Sequence, residues 1–371
     1  MIASEVKPFE IDPGYAALRE HAAWLDLSGR GKIRVTGDDR ARLLHAMSTN
    51  QIELLKSGEG CYAFFLNAQG RILGDANILC FEDHFLLDTE PEIRAKLREH
   101  LDRYIIADDV TLADQTDRIA TIAVEGPEAG AVLEQIGATL PPEEFEHTGW
   151  SGVTVARVTS TGSAGFFLFP PVESKPEMIH RLEAAGAVAA TPEDARIVRL
   201  EHGRPRYGDE ISERYLVQET GQLRAVNFNK GCYLGQEIVE RVRSRAQIHR
   251  MLRRLEIEGA AQPPAAGTKT DQAEIASAAF SPALGKVVAL AYVRAPFAEP
   301  GTEFTIGENR DDLIEVGDLS VRREGLSGRD ERTEFVRRLA PQSERIRIAS
   351  VVCDARAQAL DAFFSGRCER R

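Results

Sequence analysis

Apolar residues recur along this chain at two spacings, and the changeovers between them mark its elements. A helical opening around Tyr15 to Trp24 leads into "GKIRVTG", a short strand closed by glycine, and then "DDRARLLHAMSTN", a helix whose acidic start suits its dipole. The stretch "CYAFFLNAQGRILGDANILCFEDHFLLDT" alternates apolar runs with the turn signals "NAQG" and "EDH", which predicts a three-stranded antiparallel meander. A helix over Pro91 to Tyr104 follows, with Ile93, Leu97, Leu101 and Tyr104 on one face. "VTLAD", "IATIAVEG", "GVTVARVTS" and "GFFLFP" then read as strands separated by helical stretches such as "EAGAVLEQIG" and "PEMIHRLEAAG". The fold class is α+β.

From Gln247 the pattern changes again. "MLRRLEIEG" and "KVVALAYVRAPFAEPGTEFTIG" are strand-rich and flank the Pro/Ala/Gly-rich loop 260–274, as expected of a small β-barrel. The expected organisation is an α+β region over 1–246, dividing near 115–150, a barrel over 247–306 and an arginine-rich extension over 307–371. The last 51 residues hold 12 Arg against 8 Asp and Glu, although the whole chain carries −12, a balance that argues against general affinity for nucleic acid or anionic membranes. No apolar run approaches a membrane span and the N-terminus lacks an export pattern, so a cytoplasmic protein is expected. The five cysteines form no CxxC pair, no histidine lies in a metal motif, and neither common phosphate-binding glycine pattern occurs; no metal site is expected.

Three places could carry chemistry. Asp75 lies in a strand that is apolar on both faces, so it needs a donor, a raised pKa or a polar cavity, unless it caps a neighbouring loop. Glu201 falls in the last turn of a helix that opens at Thr191-Pro192, where it opposes the helix dipole; Arg199, Arg204 or a ligand with two N–H donors could hold it, and plain solvation is the simpler alternative. Cys232 precedes a helix predicted from Gln236 and follows Lys230, two influences that stabilise a thiolate, although a free cysteine is more often a small packed residue.

The string Lys230-Gly231-Cys232-Tyr233-Leu234-Gly235-Gln236-Glu237 resembles the KGC[FY]xGQE signature of the YgfZ family of folate-binding proteins, within the aminomethyltransferase superfamily. "STNQIELLKSGEG", "LNAQGRILGD", "RLEHGRPRYGDEI" and "FSPALGKVVALAYV" are similar, in order, to segments of that superfamily. The resemblance spans roughly 10 to 306 and implies a three-domain ring with tetrahydrofolate, or a one-carbon-substituted folate, in a central channel. It implies that Glu201 holds the pterin, that Asp75, the second of a paired-aspartate motif, works near the reacting nitrogens, and that Cys232 and Lys230 act with it, while Tyr233 and Arg241 join the folate site. Gly74 replaces the first aspartate of that pair, Thr89 an asparagine usual in the transferases and Leu234 a common threonine. The implied function is support of iron–sulfur cluster assembly or repair, and through it tRNA modification, with iron–sulfur client or assembly proteins as partners. An aminomethyltransferase of the glycine cleavage type and a non-catalytic folate binder are the alternatives.

Overall fold

The computed structural model describes residues 11–245, 248–260, 262–305 and 313–317. Most of the arginine-rich extension, with its expected helix, Cys353 and Cys368, lies outside them.

Three sheets organise the described chain. The meander forms as expected: Gly60–Leu66, Ile72–Cys80 and Phe85–Thr89 lie side by side and antiparallel, extended by Gly31–Thr36 and Thr111–Asp114 into a five-stranded sheet. The helices Arg40–Met47 and Arg94–Asp102 pack Leu43, Leu44, Leu97 and Leu101 onto its inner side, against Ile33, Phe65, Ile78 and Leu87. Each such side chain, fully buried, contributes roughly 1.5–3 kcal/mol. The expected helix over Pro91 to Tyr104 is shorter and begins as a 3-10 turn, Pro91–Ile93.

A second, six-stranded sheet runs Val188–Ala189, Ala23–Asp26, Ile122–Glu125, Gly165–Phe169, Val153–Ala156 and His147–Trp150. Here the structure departs from the opening-helix expectation. The helix is Pro13–Glu20, started by the Asp12 side chain accepting from the Gly14 amide, and Trp24 lies in a strand held by the four-residue ladder to Ile122–Glu125.

The third sheet is antiparallel: Ala273–Ser281, Lys286–Arg294, Arg250–Ile257, Leu313–Gly317 and Glu303–Thr305. Leu313–Gly317, placed beyond the barrel in the sequence reading, pairs with Arg250–Ile257 and Glu303–Thr305. Its second neighbour sets it inside the sheet. The helix Pro192–Glu201 connects these layers. Thr191 and Asp194 close a capping box at its start, Val198 packs with Tyr15 and Phe167, and Leu200 packs with Leu252, Leu290 and the stacked pair Tyr215–Tyr292. It stops at Gly203, whose φ of 65° is the left-handed conformation that ends helices, and Pro205 prevents its resumption.

Candidate functional site

A cavity of about 670 Å³ opens between the first two sheets and the helix Pro192–Glu201. Asp75, Asn77 and Tyr62 line one wall, Trp24, Arg30 and Phe167 another, and Pro192, Ala195, Arg196 and Arg199 present one side of the helix. Hairpin pairing places Tyr62 opposite Asn77 and Phe64 opposite Asp75, so Tyr62 and the acid share a face.

Asp75 is buried, and its Oδ2 accepts from the Tyr62 hydroxyl at 2.6 Å. Desolvation, joined by the negative charge of Glu90, pushes its pKa up to about 6; the Tyr62 hydrogen bond, Arg30 and Arg206 oppose that rise. Below Asp75, Asn77 donates to Asp88, and Arg30 grips both Asp88 oxygens at 2.8 and 2.9 Å while also bonding Glu90. Glu90 is shared with Arg206 at 3.0 Å, and these two cations hold its pKa below the usual range despite burial. The acid thus stands on a rigid ionic platform.

Its neighbour Gly74 points to the opposite side. A side chain there would meet Cδ1 of the buried Ile93 at 2.5 Å, so that methyl would have to shift to admit one. The cavity receives one carboxylate from this strand.

The remaining sequence candidates do not line this cavity. Glu201 ends the helix on the side away from it, and its carboxylate accepts from the Tyr15 hydroxyl at 2.5 Å, the Ser281 hydroxyl at 2.6 Å and Arg19 at 3.1 Å. Its protein partners therefore come from the first helix and the third sheet, in place of Arg199 or Arg204. The expected meeting of Glu201 and Asp75 in one pocket does not occur in this arrangement.

Lys230 does not serve Cys232 either. Its ammonium donates to the carbonyls of His45, Ser48 and Asn50 at 2.5, 2.7 and 2.8 Å, closing the C-terminal end of the helix Arg40–Met47, where backbone oxygens lack partners. Burial brings its pKa down to about 8, against weak attraction from Cys61 and Glu53. The Leu234 amide also bonds back to Ala46, so this loop is fastened to the first sheet's helix on both sides of Cys232. Cys232 itself is exposed, four residues ahead of the helix Gln236–Arg245. Tyr233 is buried among Val217, Val226 and Val239 with a hydroxyl that finds no partner among the described residues, and burial lifts its pKa to about 12. Arg241 is exposed on the helix surface.

Several site residues escaped the sequence reading. Tyr62 could not be found by counting through the "NAQG" turn, because a register shift between Phe65 and Leu66 moves it by one residue to stand opposite Asn77. Glu125, fully buried at the end of its strand, accepts from Thr159, Ser160 and Thr161 and so shapes the loop that forms another part of the wall. Arg204 and Arg224 complete that side of the cavity.

Residues 10–230 match the GCVT N-terminal domain, and residues 250–316 the glycine cleavage T-protein C-terminal barrel domain. The chain is 31% identical to an aminomethyltransferase of Rubrobacter xylanophilus over 79% of its length and 82% of the relative's. It is 28% identical to a putative chloroplastic transferase of Arabidopsis thaliana over 78% of this chain and 69% of that one. In fold it resembles the glycine cleavage system aminomethyltransferase T of Bartonella henselae, with a TM-score of 0.75 at 21% identity, over 83% of this chain and 88% of that structure. The α+β fold with a β-rich C-terminal part is therefore that of the aminomethyltransferases, and the chain belongs to the glycine cleavage T-protein family.

Proposed function

We propose that this protein binds tetrahydrofolate in the Asp75 cavity and transfers a one-carbon unit of the aminomethyl class, with Asp75 as its acid–base group. The observation that carries the reading is the buried Asp75 carboxyl, held by Tyr62 in a large cavity and poised at about 6. A group tuned that close to neutrality exchanges protons in both directions.

The residues present fit a folate. The cavity is of ligand size, with aromatic faces at Tyr62 and Phe167 and polar groups on Asp75 and Asn77. Bound tetrahydrofolate supplies the amines that accept the one-carbon unit. Ionised Asp75 takes the proton such an amine sheds as it bonds to carbon; protonated Asp75 returns it to a departing amine. Tyr62 leaves the second oxygen of Asp75 available for this exchange by occupying the first. Glu90 stays tied to Arg30 and Arg206, which hold it below the usual carboxylate range while burial pushes Asp75 up.

The test is calorimetric titration of tetrahydrofolate, followed by an assay for ammonia and methylenetetrahydrofolate released from an aminomethylated carrier protein. No binding removes the proposal; binding without release confines the protein to folate binding.

A second reading rests on Cys232. The exposed thiol within Lys230–Glu237, on a loop anchored at Lys230 and Leu234, supports a YgfZ-like role in iron–sulfur maintenance, where Cys232 meets a folate-borne one-carbon unit or a cluster species of a client protein. It predicts that Cys232→Ala lowers cellular iron–sulfur enzyme activity while tetrahydrofolate affinity is unchanged; unaltered enzyme activity rejects it.

A further inference from the structure

The cavity wall carries six arginines, and five of them are paired. Arg30 bonds Asp88 and Glu90, Arg196 bonds Glu193, Arg199 bonds Asp209 and Glu210, Arg206 bonds Glu90 and Glu92, and Arg224 bonds Glu144. Arg204 has no carboxylate within ion-pair distance among the described residues; its guanidinium makes one hydrogen bond, to the Thr159 carbonyl at 3.1 Å. Four of its five N–H donors are left without a protein acceptor.

The position is built rather than accidental. Gly203 turns the chain out of the helix and Pro205 restricts Arg204 to extended backbone, so the side chain leaves the helix end in a fixed direction. The loop it touches is held by Glu125, whose two oxygens are consumed by Thr159, Ser160 and Thr161. That carboxylate attracts Arg204 from a distance without neutralising it. The nearest competing cation, Arg224, stacks over the Tyr62 ring at 5.2 Å from its centroid. Burial and the Arg224 charge together bring the Arg204 pKa down to about 10, the sign of a cation short of counter-charge.

We propose that Arg204, supported by Arg224, is a carboxylate-binding subsite of the cavity that Asp75 also lines. One spare positive charge suits a monoanion, and a planar fork with free donors suits a carboxylate. The assignment deepens the folate reading and rests on it for the source of the carboxylate. That source is either the ligand's own glutamyl tail or a separate amino-acid-like substrate brought beside Asp75.

The experiment compares tetrahydrofolate, tetrahydropteroate, which has the same ring system and no glutamyl group, and p-aminobenzoylglutamate, which has the tail and no pterin. Each is titrated into the full chain and into Arg204→Met and Arg204→Lys, with urea midpoints confirming that the variants fold. If the tail is the source, the wild type binds tetrahydrofolate about tenfold more tightly than tetrahydropteroate, a gap worth about 1.4 kcal/mol. The gap closes in Arg204→Met and narrows in Arg204→Lys. If a separate substrate is the source, the gap is absent, and glycine binds the tetrahydropteroate complex of the wild type but not that of Arg204→Met. Failure of tetrahydropteroate to bind any form counts against the folate reading; the subsite then stands if p-aminobenzoylglutamate binding is lost in Arg204→Met and falls if it is not. With tetrahydropteroate bound, carboxylate affinities that are the same in all three proteins overturn the subsite.

Discussion

Replacing Asp75 by asparagine should stabilise the unliganded protein near neutral pH. The carboxyl is moved from its ordinary 3.8 to about 6, so holding it ionised in the fold costs about 3 kcal/mol. Because the folded value lies above the unfolded one, the contribution to stability is fully present below about pH 4 and is lost as pH rises through 6. Asparagine keeps an acceptor for Tyr62 and never ionises, although its amide needs a new acceptor at a cost of about 1 kcal/mol. Urea unfolding of both proteins from pH 3.5 to 8 separates the two effects. The stability of Asp75→Asn minus that of wild type should climb by roughly 1.4 kcal/mol per pH unit between 4 and 6, then level off. Transfer activity should fall at the same time. A difference independent of pH, or one that declines toward neutrality, refutes the claim that burial strains this carboxylate.

Other expectations follow from the same geometry. Tyr62→Phe removes the hydrogen bond that restrains the Asp75 pKa, so the Asp75 carboxyl should titrate above about 6 by carbon NMR; a lower midpoint would contradict the direction. Glu201→Gln loosens the junction with Tyr15, Ser281 and Arg19 and should cost about 1–3 kcal/mol by urea unfolding while tetrahydrofolate affinity changes less than about twofold; a selective loss of affinity would return Glu201 to the ligand. Lys230→Met strands three carbonyls and should cost about 3 kcal/mol, less the relief of removing a buried charge, read as a lower unfolding midpoint at pH 7. Since burial depresses the Lys230 pKa to about 8, wild type recovers that charge cost as pH rises from 8 toward 10.5, and the variant does not. Cys232→Ser changes an exposed side chain and should leave stability within about 0.5 kcal/mol.

Local signals in the sequence translated well where both partners sit close along the chain. Thr191, Pro192 and Asp194 announce the helix start, and "NAQG" sets the hairpin, although the register shift that brings Tyr62 to the face of Asp75 was not legible. That Asp75 needs a donor, a raised pKa or a polar cavity is one of two readings of its apolar strand, the other being a loop cap; the structure shows the Tyr62 donor, an upward shift and the cavity. Long-range pairing was not legible. Glu201 meets Tyr15 across 186 residues and Ser281 across 80, and Lys230 meets carbonyls 180 to 185 residues away. Nearness in sequence made Lys230 look like the companion of Cys232, yet a buried ammonium follows the strongest cluster of free acceptors, which here is a distant helix end. Arg204 was legible only as a possible partner of Glu201, because its significance is a missing partner, and absence of pairing is a property of the folded surroundings.

The crowded position at Gly74 bears on how such a site could change over generations. The methyl end of Ile93 already occupies the space that a side chain there would need. An aspartate arriving alone would meet that methyl, and a smaller residue at 93 arriving alone would leave a void. A side chain at 74 would therefore have to displace the end of Ile93, and it would extend on the side of the strand away from Asp75. The single carboxylate of this strand is thus a matter of strand alternation as much as of space: neighbouring positions face opposite sides, and of the two only Asp75 is on the cavity's side.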